Sequence, residues 1–142
     1  MQLKRILVPL NGSAVDLDVI QLAVTLAKPA KAEVTAVHVI EVRWNQPLDA
    51  VLDAELDRGE ELLAEAAKAA EKLGARVETE LLQAREAAAA IVDTARERGS
   101  DLIVLGMPYR RRLGRVHVGR TVQNVYTGAH CAVVAYRQEE PE

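Results

Sequence analysis

The chain has 142 residues, 49% hydrophobic and 27% charged, which fits one domain with a real core and is too apolar for an intrinsically disordered protein. With 18 Lys+Arg against 21 Asp+Glu, the net charge of −3 exerts no global pull toward nucleic acid or an anionic membrane. No apolar run approaches the roughly 20 residues of a spanning helix, and the lone cysteine excludes an intrachain disulfide or a zinc site built on two thiolates.

Met1 to Arg5 leads directly into a strand-like block instead of a secretory apolar segment, so the expected location is cytoplasmic. Ile6-Leu7-Val8, stopped by Pro9 and the turn-like Asn11-Gly12-Ser13, reads as a strand buried on both faces. Ser13 is the expected cap of a helix over Ala14 to Ala27, ended near Pro29, with Ile20, Ala23 and Ala27 facing inward. Glu33 to Ile40 is β-branched and reads as the second strand.

Leu52, Leu56, Gly59, Leu63, Ala66, Ala70 and Leu73 alternate at spacings of four and three, the stripe of a long helix closed by Gly74. Ala75 to Leu82 has the polar start of an edge strand, and Arg85 to Arg98 forms a third helix closed by Gly99. Asp101 to Gly106 is a fourth buried strand. A loop over Met107 to His117, a short helix over Val118 to Thr127 and a last strand over Cys131 to Tyr136 complete residues 1–137, and 138–142 form a frayed tail. Strands alternating with helices predict an α/β domain with a mostly parallel sheet covered on both faces.

In such sheets, ligands bind outside the carboxyl ends of the strands, where strand order reverses. Gly106, then Gly119-Arg120-Thr121 at a helix start, supply the parts of an anion site: a close backbone approach and unpaired N–H groups. Arg110, Arg111, Arg112 and Arg115 lie between them, a run that suits phosphate oxygens or forms a solvated basic surface. Residues 1–101 hold 12 basic and 18 acidic side chains, whereas 102–138 hold six arginines and no acid. An anionic ligand is therefore expected at this edge.

No hydrolytic or metal constellation is visible: Ser13 has no His partner, and His38, His117 and His130 stand on separate segments. His38 reads as a satisfied core or rim histidine, not a ligand, and Cys131 as a small buried hydrophobe. Trp44 either covers a pocket mouth or packs over a helix.

Lys4 to Ser13, Val37-His38-Val39-Ile40, Asp101 to Gly106 and Ala129 to Val134, in this order and over essentially the whole chain, resemble the universal stress protein family. The resemblance implies a flavodoxin-like (adenine nucleotide alpha hydrolase-like) sheet in strand order 3-2-1-4-5, and a homodimer paired through the last strand, with Val133 and Ala135 at the seam. It also implies a cofactor, ATP or another adenine nucleotide, with magnesium if it is ATP. Pro9, Asn11, Val39, Gly106, Gly119, Arg120 and Thr121 are its candidate binding residues.

The family's ATP binders carry Gly, two residues, Gly, nine residues, Gly, then Ser or Thr. Here Gly106 and Gly119 match, but Tyr109 replaces the second glycine and Arg120 the hydroxyl residue, while Asn11 stands for the usual aspartate and Val39 keeps the position that touches adenine. Tyr109 is expected to block the site or reshape its loop, so ATP affinity is expected to be reduced or lost. The leading expectation is a stress-response or regulatory binding protein with weak or altered nucleotide binding. Two alternatives stay open, a slow ATPase and a nucleotide-free dimerisation or interaction module. An acidic protein partner at the basic loop is also expected.

Overall fold

A computed structural model describes residues 1–109, 111–112, 115–116 and 118–140. Ile6, Leu7 and Val8 are at most 1% exposed in β1 (Arg5–Pro9), the strand at the centre of the sheet. Around it the chain forms α1 (Asp16–Ala30), β2 (Glu33–Glu41), α2 (Asp53–Lys72), β3 (Val77–Ala84), α3 (Ala87–Arg98) and β4 (Leu102–Met107). The two-residue strands β5 (Arg111–Arg112) and β6 (Arg115–Val116), α4 (Arg120–Gly128) and β7 (Ala132–Arg137) follow.

The main sheet is parallel throughout, in the order β3-β2-β1-β4-β7, which is the expected 3-2-1-4-5 once β7 is counted as the fifth strand. Alternation along the strands divides the core. Ile6, Val8, Ala36 and Val104 pack with Val19, Ile20 and Ala23 of α1 and Leu63, Ala66 and Ala70 of α2. Leu7, Val37, Ile103 and Leu105 pack with Ile91 and Ala95 of α3 and Val122 and Val125 of α4. Cys131 packs at the margin of this second cluster, and burial pushes its thiol pKa up, in keeping with a small hydrophobe.

Four local expectations change. α1 continues through Pro29 to Ala30, because a proline in the last turn removes a single helical hydrogen bond; the end is set by Lys31 in the left-handed conformation (φ 54°), with Ala32 N–H donating to Ala27 O at 3.0 Å. Ser13 does not cap α1: Val15 holds the cap position, and the Ser13 hydroxyl is buried without a partner. The expected Met107–His117 loop contains the antiparallel β5–β6 pair, whose arginines carry little apolar alternation to announce a strand. α4 begins at Arg120 instead of Val118, and Ala129, not Gly128, is its C-terminal cap.

Two features place the site. The β1–β4 ladder ends at Leu7↔Ile103 although both strands run further, so their carboxyl ends part into a crevice where strand order reverses. α1 lies so close to β4 that a Cβ on Gly106 would overlap the Val19 side chain and come within 2.9 Å of Val15 Cγ1. Gly106→Ala should therefore destabilise the fold by about 1–3 kcal/mol through overpacking. Urea unfolding followed by circular dichroism checks this, and a loss below about 0.5 kcal/mol would show that α1 yields without cost.

Candidate functional site

The turn after β1 forms one wall of the crevice. Leu10 N–H continues the ladder to Val37 O at 2.8 Å, and Gly12 then takes φ 84°, a conformation that favours glycine. Asn11 Oδ1 accepts the Ser13 N–H at 3.0 Å, an Asx turn. The Asp16 carboxylate folds back from the first turn of α1 and accepts the N–H groups of Gly12 at 2.8 Å and Asn11 at 3.3 Å. Burial raises the Asp16 pKa above the ordinary aspartate value, opposed by those two N–H bonds and the nearby His38. His38 Nδ1 sits 2.7 Å from Leu10 O, so its N–H donates to that carbonyl. This is a satisfied rim histidine.

Two adjoining clefts open there. One of about 260 Å³ is lined on its apolar part by Pro9, Leu10, Val37 and Val39 of the sheet and Ala87 and Ile91 of α3, and on its polar part by Asn11, Asp16, His38, Glu41 and Thr121. A second, about 240 Å³, lies against the start of α4, between Gly106, Met107 and Pro108 on one side and Gly119, Arg120 and Thr121 on the other. Asn11, Gly106, Thr121 and Val122 line both, so the two adjoin. Gly119 caps α4 in extended conformation without a side-chain cap, and a Cβ there would meet nothing within 4 Å. The first-turn N–H groups of α4, without a side-chain cap among the described residues, lie beside a position that glycine leaves open.

All seven candidate binding residues line one or both of these adjoining clefts. Gly106 has a second reason to be glycine, since α1 fills the place of its Cβ. Tyr109 does not occupy the clefts: its N–H donates to Gln138 Oε1 at 3.2 Å and its ring lies under the Arg137 guanidinium, 5.0 Å from carbon to centroid. The expectation that Tyr109 blocks the site is therefore corrected, because β7 and the residue after it draw the ring away. Arg110 and His117 fall outside the described residues, and Arg111, Arg112 and Arg115 are described only as backbone of β5 and β6.

Val133 is half-buried against the α3–α4 side and Ala135 is exposed, both on β7, the strand at the end of the sheet order. Trp44 covers no helix: it is 78% exposed, with the Arg85 guanidinium 5.0 Å above its ring.

Sequence reasoning missed Asp16 and Glu41, which line the apolar cleft together with His38. It also missed a third, adjoining cleft of about 750 Å³ between α1 and α2, where Glu55, Glu61 and Glu65 outnumber Arg58. Only Asp16, three residues after Ser13, carried a signal, and it read equally well as a helix-start charge.

Comparison with known proteins decides the family. The universal stress protein family profile matches residues 2–137. The chain belongs to the universal stress protein family. It is 33% identical over 145 aligned residues to a universal stress protein of Methanocaldococcus jannaschii, covering 98% of this chain and 85% of that one. It superposes on a universal stress protein of Archaeoglobus fulgidus with TM-score 0.77 at 25% identity, covering 93% and 92% of the two chains. A second Archaeoglobus fulgidus structure, in complex with dAMP, gives TM-score 0.76 at 24% identity over 95% and 98%. A universal stress protein in complex with cAMP gives 0.75 at 19% over 96% and 98%. No helix among the described residues is long and apolar enough to cross a membrane.

The raised Asp16 pKa fixes a sign. Between the ordinary aspartate value and the raised one, the folded chain keeps a proton that the unfolded chain has released, so this group's contribution to stability falls as pH climbs through that window. Asp101 acts in the opposite sense: the N–H groups of Arg5 and Lys4 lower its pKa, and its stabilisation is lost as pH falls through the lowered value. Asp16→Asn should remove the first component and leave the second, in unfolding curves recorded from acid to neutral pH. A profile parallel to that of the unaltered chain contradicts the assignment to Asp16.

Proposed function

We propose that this universal stress protein is a regulatory module that binds an adenine nucleotide, with the base in the apolar cleft and the phosphate at the start of α4. One observation carries the reading: the apolar slot and the cleft at the helix N-terminus adjoin, sharing Asn11, Gly106, Thr121 and Val122. An apolar cleft beside a few placed polar groups suits a flat base, and open first-turn N–H groups beside Arg120 suit a phosphate. The dAMP and cAMP complexes of proteins with the same fold support adenine as the base. Val39 and Ile91 supply the apolar contact, and Asn11 stands between base and phosphate, within reach of a ribose hydroxyl.

The reading includes a cytoplasmic homodimer that signals through bound nucleotide. β7 supports the dimer: it ends the sheet, pairs with β4 on one side, and leaves the backbone of its other edge for a second copy, with Val133 and Ala135 at the seam. The arginine-bearing β5–β6 segment would meet an acidic protein surface.

Calorimetric titration with AMP, ADP and ATP, paired with thermal melts, tests the nucleotide. Saturating ligand at about 100 times Kd should stabilise the fold by about 2.7 kcal/mol. Gly119→Asp should keep or raise the melting temperature, since aspartate is a good helix cap, yet weaken binding about tenfold or more by placing a negative charge where the phosphate sits. Absence of heat and of thermal shift with every nucleotide at millimolar concentration refutes the reading.

A further inference from the structure

The side chains at the phosphate end of the site offer donors. Asn11 Oδ1 is occupied by the Ser13 N–H, which leaves the amide N–H groups of its side chain to donate into the cleft. Arg120 is exposed, and among the described residues no carboxylate pairs with it. The α4 first turn adds backbone N–H groups, and Thr121 a hydroxyl. Among the described residues no aspartate or glutamate lines this end.

The adjoining carboxylates are already engaged: Asp16 holds the Asn11 and Gly12 N–H groups, and Glu41 Oε2 accepts the Ala87 N–H at 3.0 Å. Magnesium is usually held by one or two carboxylates together with phosphate oxygens and water. The donor set at this end does not fit it, and no cluster of three His, Cys, Asp or Glu among the described residues could hold a metal.

Charge points the same way. A phosphate monoester carries about −1.5 to −2 near neutral pH. The Arg120 guanidinium and the roughly +0.5 of a helix N-terminus match it closely. Asp16, Glu41, Glu55, Glu61 and Glu65 around the other clefts repel phosphate from that side and fix the ligand's direction.

Resting on the nucleotide reading, we infer that the site takes a nucleoside phosphate stripped of its metal, and that wherever magnesium coats triphosphates its ligand is a nucleoside monophosphate. Arg120 and the Asn11 amide take the place of the cation.

The test is calorimetry on the full chain with AMP and ATP, each in EDTA and in excess magnesium chloride. AMP affinity should agree within roughly twofold between the two buffers, and in magnesium AMP should bind about tenfold tighter than ATP or more. ATP that binds more tightly with magnesium, or that equals AMP in its presence, overturns the inference while leaving nucleotide binding intact. Silence in all four titrations removes the nucleotide reading and this inference with it.

Arg120→Ser, at an exposed position, should lower AMP affinity about tenfold or more, and an unchanged affinity rejects its role as the counter-charge. Asn11→Asp should weaken AMP and make magnesium favour ATP. If it keeps the magnesium response of the unaltered chain, the amide at this position does not exclude the metal.

Discussion

The architecture of the site depends on the contact between α1 and β4 at Gly106. Because no Cβ intervenes, Val15 and Val19 press against the strand, and the first turn of α1 is held at the mouth of the crevice. That position lets the Asp16 carboxylate reach back to the N–H groups of Asn11 and Gly12 and lock the turn. The turn then sets the Asn11 amide between the two clefts, and the Leu10 carbonyl orients His38. A packing constraint on one face of the sheet thus determines polar geometry at its edge.

The site that results is electrically polarised. At one end stand Arg120 and the open start of α4; at the other, acidic side chains contributed by α1, β2 and α2. The modest net charge of the chain averages over this separation. Locally, an anionic group and its uncharged portion would experience opposite preferences across a short distance.

The fold was legible because its signals are periodic. The four-and-three stripe from Leu52 to Leu73 and the apolar blocks at Ile6–Val8 and Leu102–Leu105 each correspond to an element whose inward residues are buried. What escaped depends on neighbours distant in sequence. Pro29 reads as a terminator until Lys31 is seen to carry the left-handed closure one turn-end later. Ser13 reads as a cap, but the Asp16 carboxylate takes the turn's N–H groups and the hydroxyl is left without a bond.

At the site itself, the glycines were visible and their reasons were not. Gly106 is small because of α1, and Gly119 stands against open space, a distinction that spacing alone does not carry. Tyr109 looked like an obstruction only because the partners that hold it, Arg137 and Gln138, come from the far end of the chain.

One consequence concerns how this protein reports on itself. Trp44 is its sole tryptophan, and it stands 78% exposed in the segment between β2 and α2, stacked with Arg85, whose guanidinium also donates to the Arg43 carbonyl. Tryptophan emission therefore watches that segment and its arginine clasp, while the interior, built without a single phenylalanine, has only the half-buried Tyr136 at its margin. A change in tryptophan fluorescence is a signal from the rim of the sheet, and loss of the core must be read from backbone dichroism.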